Sequence, residues 1–173
     1  ALPIYEADVK SGKVKIIAPE GFMEHAISEN VTAGNAMARR AVYMYGALLP
    51  RNAQGGVDGG LGKTNSIGDS TLLVPNVVIT HTGEELTVDG VKMIYQLTPD
   101  TEAPAEMNVF FPQFRAMWMA ENTTNTLHNL YSLRGAQVRN GLSWAKDIQE
   151  TMDLYGDKID VKFNGHHWPM WGN

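Results

Sequence analysis

Residues 86–95 read LTVDGVKMIY, and this stretch sets the class of fold. Leu86 and Val88 alternate with polar neighbours, Asp89-Gly90 supplies a two-residue turn of the primed type, and Val91, Met93 and Tyr95 resume the alternation. Period-two apolar residues on both sides of an Asp-Gly pair specify an antiparallel β-hairpin with one face toward a core.

Working outward, Asn108–Phe111, Arg115–Ala120 and Ile159–Phe163 read as further strands, and Leu72–Thr80 (LLVPNVVIT) as one before the hairpin. Lys13–Ala18 (KVKIIA) is a short β-branched run closed by Pro19, a buried strand in this reading. Ser28–Leu49 reads as a long helix, rich in helix formers and stopped by Pro50. From about Thr124 the pattern turns helical, with a break near Gly135. Val138, Leu142, Ala145, Ile148, Met152 and Tyr155 then recur at spacings of three and four, an apolar stripe on a helix ending at Gly156. Residues 51–70 are glycine-rich and read as a long loop. Strands interleaved with helices, without repeat or linker, predict a single α/β unit over 1–173.

Composition narrows the function. With 43% apolar and 19% charged residues the chain is globular, and a net charge of −5 without a basic stripe argues against nucleic acid as partner. No apolar run approaches the ~18 residues of a membrane span. The absence of cysteine excludes disulfides and thiolate ligands, so a metal must be held by His, Asp or Glu. It fits cytoplasm and periplasm alike. Ala1 is no start residue, and the chain is expected to begin further upstream.

Functional groups of α/β folds gather beyond the carboxyl ends of strands. Val91–Leu97 runs into Thr101-Glu102, Arg115–Ala120 into Glu121, and Ile159–Phe163 into His166, so these three form a candidate site for zinc, manganese or iron. Taken singly, a glutamate after a strand is ordinarily a solvated loop residue or a helix cap. GGLGKT (59–64) imitates a phosphate loop, but Val57 stands where the pattern needs glycine and no helix follows. His25 and His81 read as cap or surface residues; His128 is a supporting group near a site or a half-buried polar residue. The Met- and aromatic-rich run FRAMWMAEN reads as sheet core. The closing GHHWPMWGN sets His166 and His167 side by side against a rigid Trp168-Pro169 corner.

TEAPAEM (101–107), AENTTNTLHNLYSLRGAQVR (120–139) and NGHHWPMWG (164–172), together with APEGFMEHAISENVTAGNAMARRAVYMYG (18–46) and GGLG (59–62), resemble one family. It is the alkyl sulfatases of the metallo-β-lactamase superfamily, enzymes that hydrolyse dodecyl sulfate. The resemblance implies an α/β fold, a portion of the αββα sandwich, with two zinc ions at its edge. Glu102 would bind one zinc, Glu121 would bridge both and His166 would bind the other, with Glu106 and His167 as rivals for the first and last roles. Asn129 and Arg134 would hold the sulfate group, a task suited to the planar guanidinium fork, and His128 would donate a proton or orient its neighbours. Met117, Trp118, Met119 or Trp168 would line a channel for the alkyl tail, unless they are core.

The chain also departs from that family. The HxHxDH motif that supplies most zinc ligands does not occur in the 173 residues. The resemblance implies that this motif lies upstream, and that a dimerisation domain and a lipid-carrier-like domain lie downstream. The chain is therefore expected to be the later part of the catalytic domain of a detergent-degrading enzyme, homodimeric at full length, periplasmic or secreted, and dependent on the upstream segment for its metals. Competing readings are a hydrolase of the same superfamily acting on a lactone, thioester or phosphoester, and a metal-free fragment of the fold without activity.

Overall fold

The computed structural model describes residues 4–59, 62–63, 71–126 and 128–172. Much of the glycine-rich loop, including Gly60, Leu61 and Thr64 of the phosphate-loop imitation, lies outside them. The chain divides into two compact units, one of Ala1–Met23, Leu73–Leu130 and Arg139–Asn173, the other of Glu24–Leu72 and Tyr131–Val138.

The larger unit is built on two sheets. Strands β1 (Ile17–Pro19) and β2 (Val77–Ile79) pair in parallel, while β3 (Glu85–Val88), β4 (Val91–Leu97), β5 (Met107–Phe111), β6 (Ala116–Trp118), β7 (Val161–Phe163) and β8 (Met170–Trp171) form a six-stranded sheet in that order. The hairpin forms as expected. Val88 pairs with Val91, and Asp89 and Gly90 take φ values of 51° and 81°, the positive pair a type I′ turn requires. Pairing is antiparallel throughout except between β6 and β7. Two antiparallel steps relate β4 to β6, so β4, β6 and β7 all point the same way and end at one edge.

Period-two alternation gives the sheet two buried faces. Tyr95, Met107 and Val109 pack with Ile79, Ile17 and Val77 on the face covered by β1 and β2. On the other face Phe110, Met117 and Met119 meet Tyr155 and Leu154 of a helix spanning Gly141–Tyr155. Of FRAMWMAEN, Ala116, Met117, Met119 and Ala120 are core while Phe114 is exposed, and Met117 and Met119 are too deeply buried to line a channel for a substrate tail.

That helix departs from its expected stripe. Asn140 caps it, its side chain accepting from the backbone N–H groups of Leu142 and Ser143. Its buried residues are Trp144, Thr151 and Tyr155, whereas Leu142 and Met152 are 67% and 61% exposed. The polar Thr151 belongs inside because its hydroxyl donates to Gln96 Oε1 at 2.6 Å and Asn108 Nδ2 reaches it, and Gln96 and Asn108 are themselves wholly buried on β4 and β5. The expected helix from Thr124 is absent: among the described residues 124–140 are turns and extended chain. Strand β8, not expected, closes the sheet beyond β7.

The expected Ser28–Leu49 helix starts earlier and is interrupted. An α-helix from Phe22 to Ile27 runs into a π-helical turn at Ser28–Thr32 and continues as an α-helix over Gly34–Met44. It stops before Pro50 because Gly46, at φ 60°, takes the left-handed backbone that ends helices.

Candidate metal centre

The parallel pairing of β6 with β7 builds one side of the site. Beyond the strands it continues through Met119 N–H to Phe163 O (2.9 Å) and Gly165 N–H to Ala120 O (2.7 Å), so the chains leave the sheet side by side. Ala120 adopts φ 45°, a strained backbone for a residue with a Cβ, and turns the chain just before Glu121. The next residues are Glu121 on one strand end and His166 on the other, and His166 Nε2 lies 3.1 Å from Glu121 Oε1.

The loop after β4 brings Glu102 to the same edge. Its backbone N–H points at Asn122 Oδ1, and buried Asn122 is held in turn by Thr98 Oγ1 and Asn108 Oδ1. His128 comes from the irregular segment after β6. Its Nε2 lies 3.5 Å from Glu102 Oε1 and 3.3 Å from Glu121 Oε2. Ligand atoms of Glu102, Glu121 and His128 all fall within 4.8 Å of one another. Both oxygens of Glu121 are therefore engaged, each by a different imidazole.

The donor chemistry fits a cation. His128 Nδ1 is 2.8 Å from the Asn129 carbonyl, which can only accept, so Nδ1 carries a proton and Nε2 turns to the two carboxylates. An imidazole tied to a carbonyl through one nitrogen while the other faces carboxylate oxygens is the usual setting of a metal-binding histidine. Oxygen and imidazole ligands suit zinc, manganese or iron.

Glu106 stands apart from this cluster. Its Oε1 accepts from the N–H of Met107, and burial, reinforced by the charges of Glu102 and Glu121, pushes its carboxyl up to about 7. His167 is turned elsewhere: at φ 68° its Nε2 meets Thr126 Oγ1 at 3.2 Å, while the Trp168 carbonyl accepts from Asn125. The Trp-Pro corner is thereby tied to residues 125–126, and Trp168 itself is exposed. His81 lies at the surface beside Glu84.

Of the residues expected to hold sulfate, Asn129 is adjacent to His128, and its Oδ1 accepts from Arg139 Nη1 at 3.1 Å. Arg134 belongs to the smaller unit, where its guanidinium is 3.4 Å from Glu29 Oε1 in the π-helical turn and its carbonyl accepts from Arg40. Arg139 was not foreseen from sequence, although it lies in the GAQVR end of a quoted stretch and next to the helix cap. Its side chain is 7% exposed and grips Glu102. Beside His128 a cleft of about 260 Å³ is walled by Leu130, Trp144, Ala145 and Ile148.

No protein-family model matches the chain. It is 52% identical over 168 residues to a linear primary-alkylsulfatase of Pseudomonas sp, an alignment covering 97% of this chain and 25% of that protein. The solved structure of the stereoselective inverting sec-alkylsulfatase Pisa1 from Pseudomonas sp. is 50% identical with a TM-score of 0.92, covering 98% of this chain and 27% of that one. An archaeal metallo-β-lactamase superfamily protein from Sulfolobus tokodaii, 17% identical, shares the fold at a TM-score of 0.55 over 95% of this chain and 56% of its own. The chain spans about a quarter of the length of the curated relatives it matches.

Proposed function

We propose, from the 52% identity to an alkylsulfatase over nearly the whole chain and from a fold shared with a metallo-β-lactamase superfamily protein, that the chain belongs to the alkylsulfatase family and serves the zinc-dependent hydrolysis of alkyl sulfate esters. Dodecyl sulfate is the substrate to try first, with water splitting the ester into alcohol and inorganic sulfate. The observation that carries this reading is the single carboxylate of Glu121 with an imidazole at each oxygen, His166 at 3.1 Å and His128 at 3.3 Å. A carboxylate so placed, with Glu102 beside it, would have the oxygen and imidazole donors that hold a metal ion.

In this reading Glu102, Glu121 and His166 hold the metal. When bound, zinc activates water at neutral pH and offsets the charge that gathers on the departing sulfate. The chain's own part is positioning. Asn129 would donate a hydrogen bond to a sulfate oxygen whose negative charge grows as the ester breaks, which is stabilisation by a placed donor. His128 has two roles open to it, a further ligand or a group that holds a proton at Nε2, and metal content separates them. If His128→Ala lowers the metal ratio it is a ligand; if the ratio holds and turnover falls it moves a proton. The remaining ligands would come from an upstream HxHxDH segment, and the family resemblance extends the proposal to a homodimer that is periplasmic or secreted.

The test is the metal-to-protein ratio of the purified full-length protein carrying this chain, with intact mass, followed by sulfate release from dodecyl sulfate. About two zincs and sulfate release support the reading. Two zincs with hydrolysis of phosphoesters, lactones or thioesters instead would move the protein to another activity of the superfamily, and metal-free protein would leave only the fold.

A further inference from the structure

We propose that Asn122 is a positioning residue that fixes Glu102 against Glu121 and so sets the affinity of the site for its metal ion, an inference that rests on the zinc reading above. Asn122 serves both glutamates. Its backbone N–H donates to the Met119 carbonyl at 2.8 Å, closing the tight turn that presents Glu121, and its side-chain Oδ1 accepts from the backbone N–H of Glu102 at 3.4 Å. One residue thereby joins the turn after β6 to the loop after β4.

The amide is held from its other end by the protein interior. Asn122 Nδ2 donates to Thr98 Oγ1 at 3.1 Å and to Asn108 Oδ1 at 3.0 Å, while Asn108 Nδ2 reaches Gln96 Oε1 at 3.2 Å and Thr151 Oγ1 at 3.4 Å. Thr98 anchors the Glu102 loop a second time, since its N–H donates to the Glu106 carbonyl at 3.0 Å and its carbonyl accepts from Thr101 Oγ1 at 2.6 Å. Trp144 fixes the backbone, its Nε1 donating to the Asn122 carbonyl at 2.9 Å. All of these side chains are buried.

Two physical arguments assign the role. Buried amides and hydroxyls are costly unless every one is bonded, and what a fully satisfied network supplies in return is one geometry. Both N–H bonds of the Asn122 amide go to fixed acceptors, so its oxygen has one direction left, and Glu102 lies there. The second argument is electrostatic. Glu102 and Glu121 each come within 3.5 Å of the same His128 Nε2, and two carboxylates of like charge favour separation. A tie between their backbones keeps them in place before an ion binds, so the ion need not draw the two loops together.

The test uses Asn122→Ala, Thr98→Val and Ile79→Ala in the full-length protein carrying this chain, reading zinc affinity by chelator competition and thermal unfolding in the presence of chelator. Ile79 is wholly buried on β2 against Tyr95 and Val109, on the face of the sheet away from Asn108, so its truncation lowers stability without touching the network. Zinc affinity is expected to fall by roughly 10–100-fold in Asn122→Ala, as when a group supporting a ligand is lost. Thr98→Val, which keeps the shape and removes one acceptor of the amide, should lower it by a smaller factor. Ile79→Ala should keep wild-type zinc affinity although its unfolding midpoint drops. Wild-type affinity in Asn122→Ala, or an equal loss in Ile79→Ala, reduces Asn122 to a contributor to stability and overturns the proposal. If Asn122→Ala does not fold, Thr98→Val decides against Ile79→Ala: a loss in the first alone supports the proposal, and equal affinities overturn it. Wild-type protein that binds zinc but releases no sulfate from dodecyl sulfate sinks the sulfatase reading and leaves Asn122 judged on zinc affinity; wild-type protein that binds no divalent metal overturns both.

Discussion

Glu121 Oε1 lies 3.1 Å from His166 Nε2, although the residues are 45 positions apart in the chain. The contact exists because β6 and β7 are parallel neighbours whose pairing continues past the strands, through Gly165 N–H to Ala120 O, to the residues that carry the two side chains. Parallel strands put their carboxyl ends at one edge, and that edge is where this chain gathers its imidazoles and carboxylates.

The central position of Glu121 makes its substitution the most damaging in the site. Glu121→Gln keeps the shape but removes the charge facing both His128 and His166. If the proposed metal site is held by Glu121, the loss of metal affinity in the full-length protein is expected to exceed the ~10–100-fold typical of removing a supporting group. Metal analysis of the dialysed variant checks it; full metal content would take Glu121 out of the ligand set.

The two faces of the helix over Gly141–Tyr155 should respond oppositely to truncation. Trp144 is buried and donates through Nε1 to the Asn122 carbonyl, so Trp144→Ala should cost about 3–5 kcal/mol. Leu142 is exposed, and Leu142→Ala should stay within about 0.5 kcal/mol of wild type. Urea unfolding of the two variants decides between this face and the stripe read from the sequence.

The hairpin turn depends on left-handed backbone at Gly90, where an added Cβ would meet no neighbour. Gly90→Ala should therefore cost only the conformational penalty, about 1–2 kcal/mol. The denaturant midpoint should fall with an unchanged slope. A change in slope would mean that the register of β3 on β4 had shifted as well.

Metal-free protein should lose stability as pH rises toward neutrality. Burial holds the Glu106 carboxyl near 7 in the folded chain against its ordinary value of 4.5, so between those values the folded state binds a proton that the unfolded state lacks. The stability this proton contributes is complete below about 4.5 and is lost as pH passes through about 7. Asp147, raised to about 6 by burial beside Glu150 and Asp100, acts in the same direction. Comparison with Glu106→Gln at matched pH, in the presence of chelator, isolates the first group: the difference should widen in favour of the variant between about pH 5 and 8. Parallel curves would show that Glu106 ionises like a solvated glutamate.

Much of the sheet was legible because its signals are local. The Asp-Gly turn needs only its own backbone, and alternation along β4 and β5 follows from the pleat, so hairpin, strand identities and the three strand ends bearing Glu102, Glu121 and His166 could be read directly. The helical stripe could not. Hydrophobicity marked Leu142 and Met152 for burial, but the face that turns inward is fixed by Thr151 bonding to Gln96 and Asn108, partners contributed by distant strands. Residues 124–140 failed for a related reason: Thr123 bonds to Asn164, Asn125 to the Trp168 carbonyl and Thr126 to His167. Those long-range bonds hold the segment in a conformation its own propensity does not specify.

The sequence by itself determined the class of the fold, the donor chemistry of the site and the family to which its motifs point, since residue types and short-range periodicity carry that information. Only the tertiary structure decided which groups meet. It faced His166 toward Glu121 and His167 toward Thr126, drew His128 between two carboxylates, and brought Arg139 onto Glu102. Each of these depends on parallel pairing and loop closure across tens of residues, where the geometry is set by the packed sheet and the capped helix together.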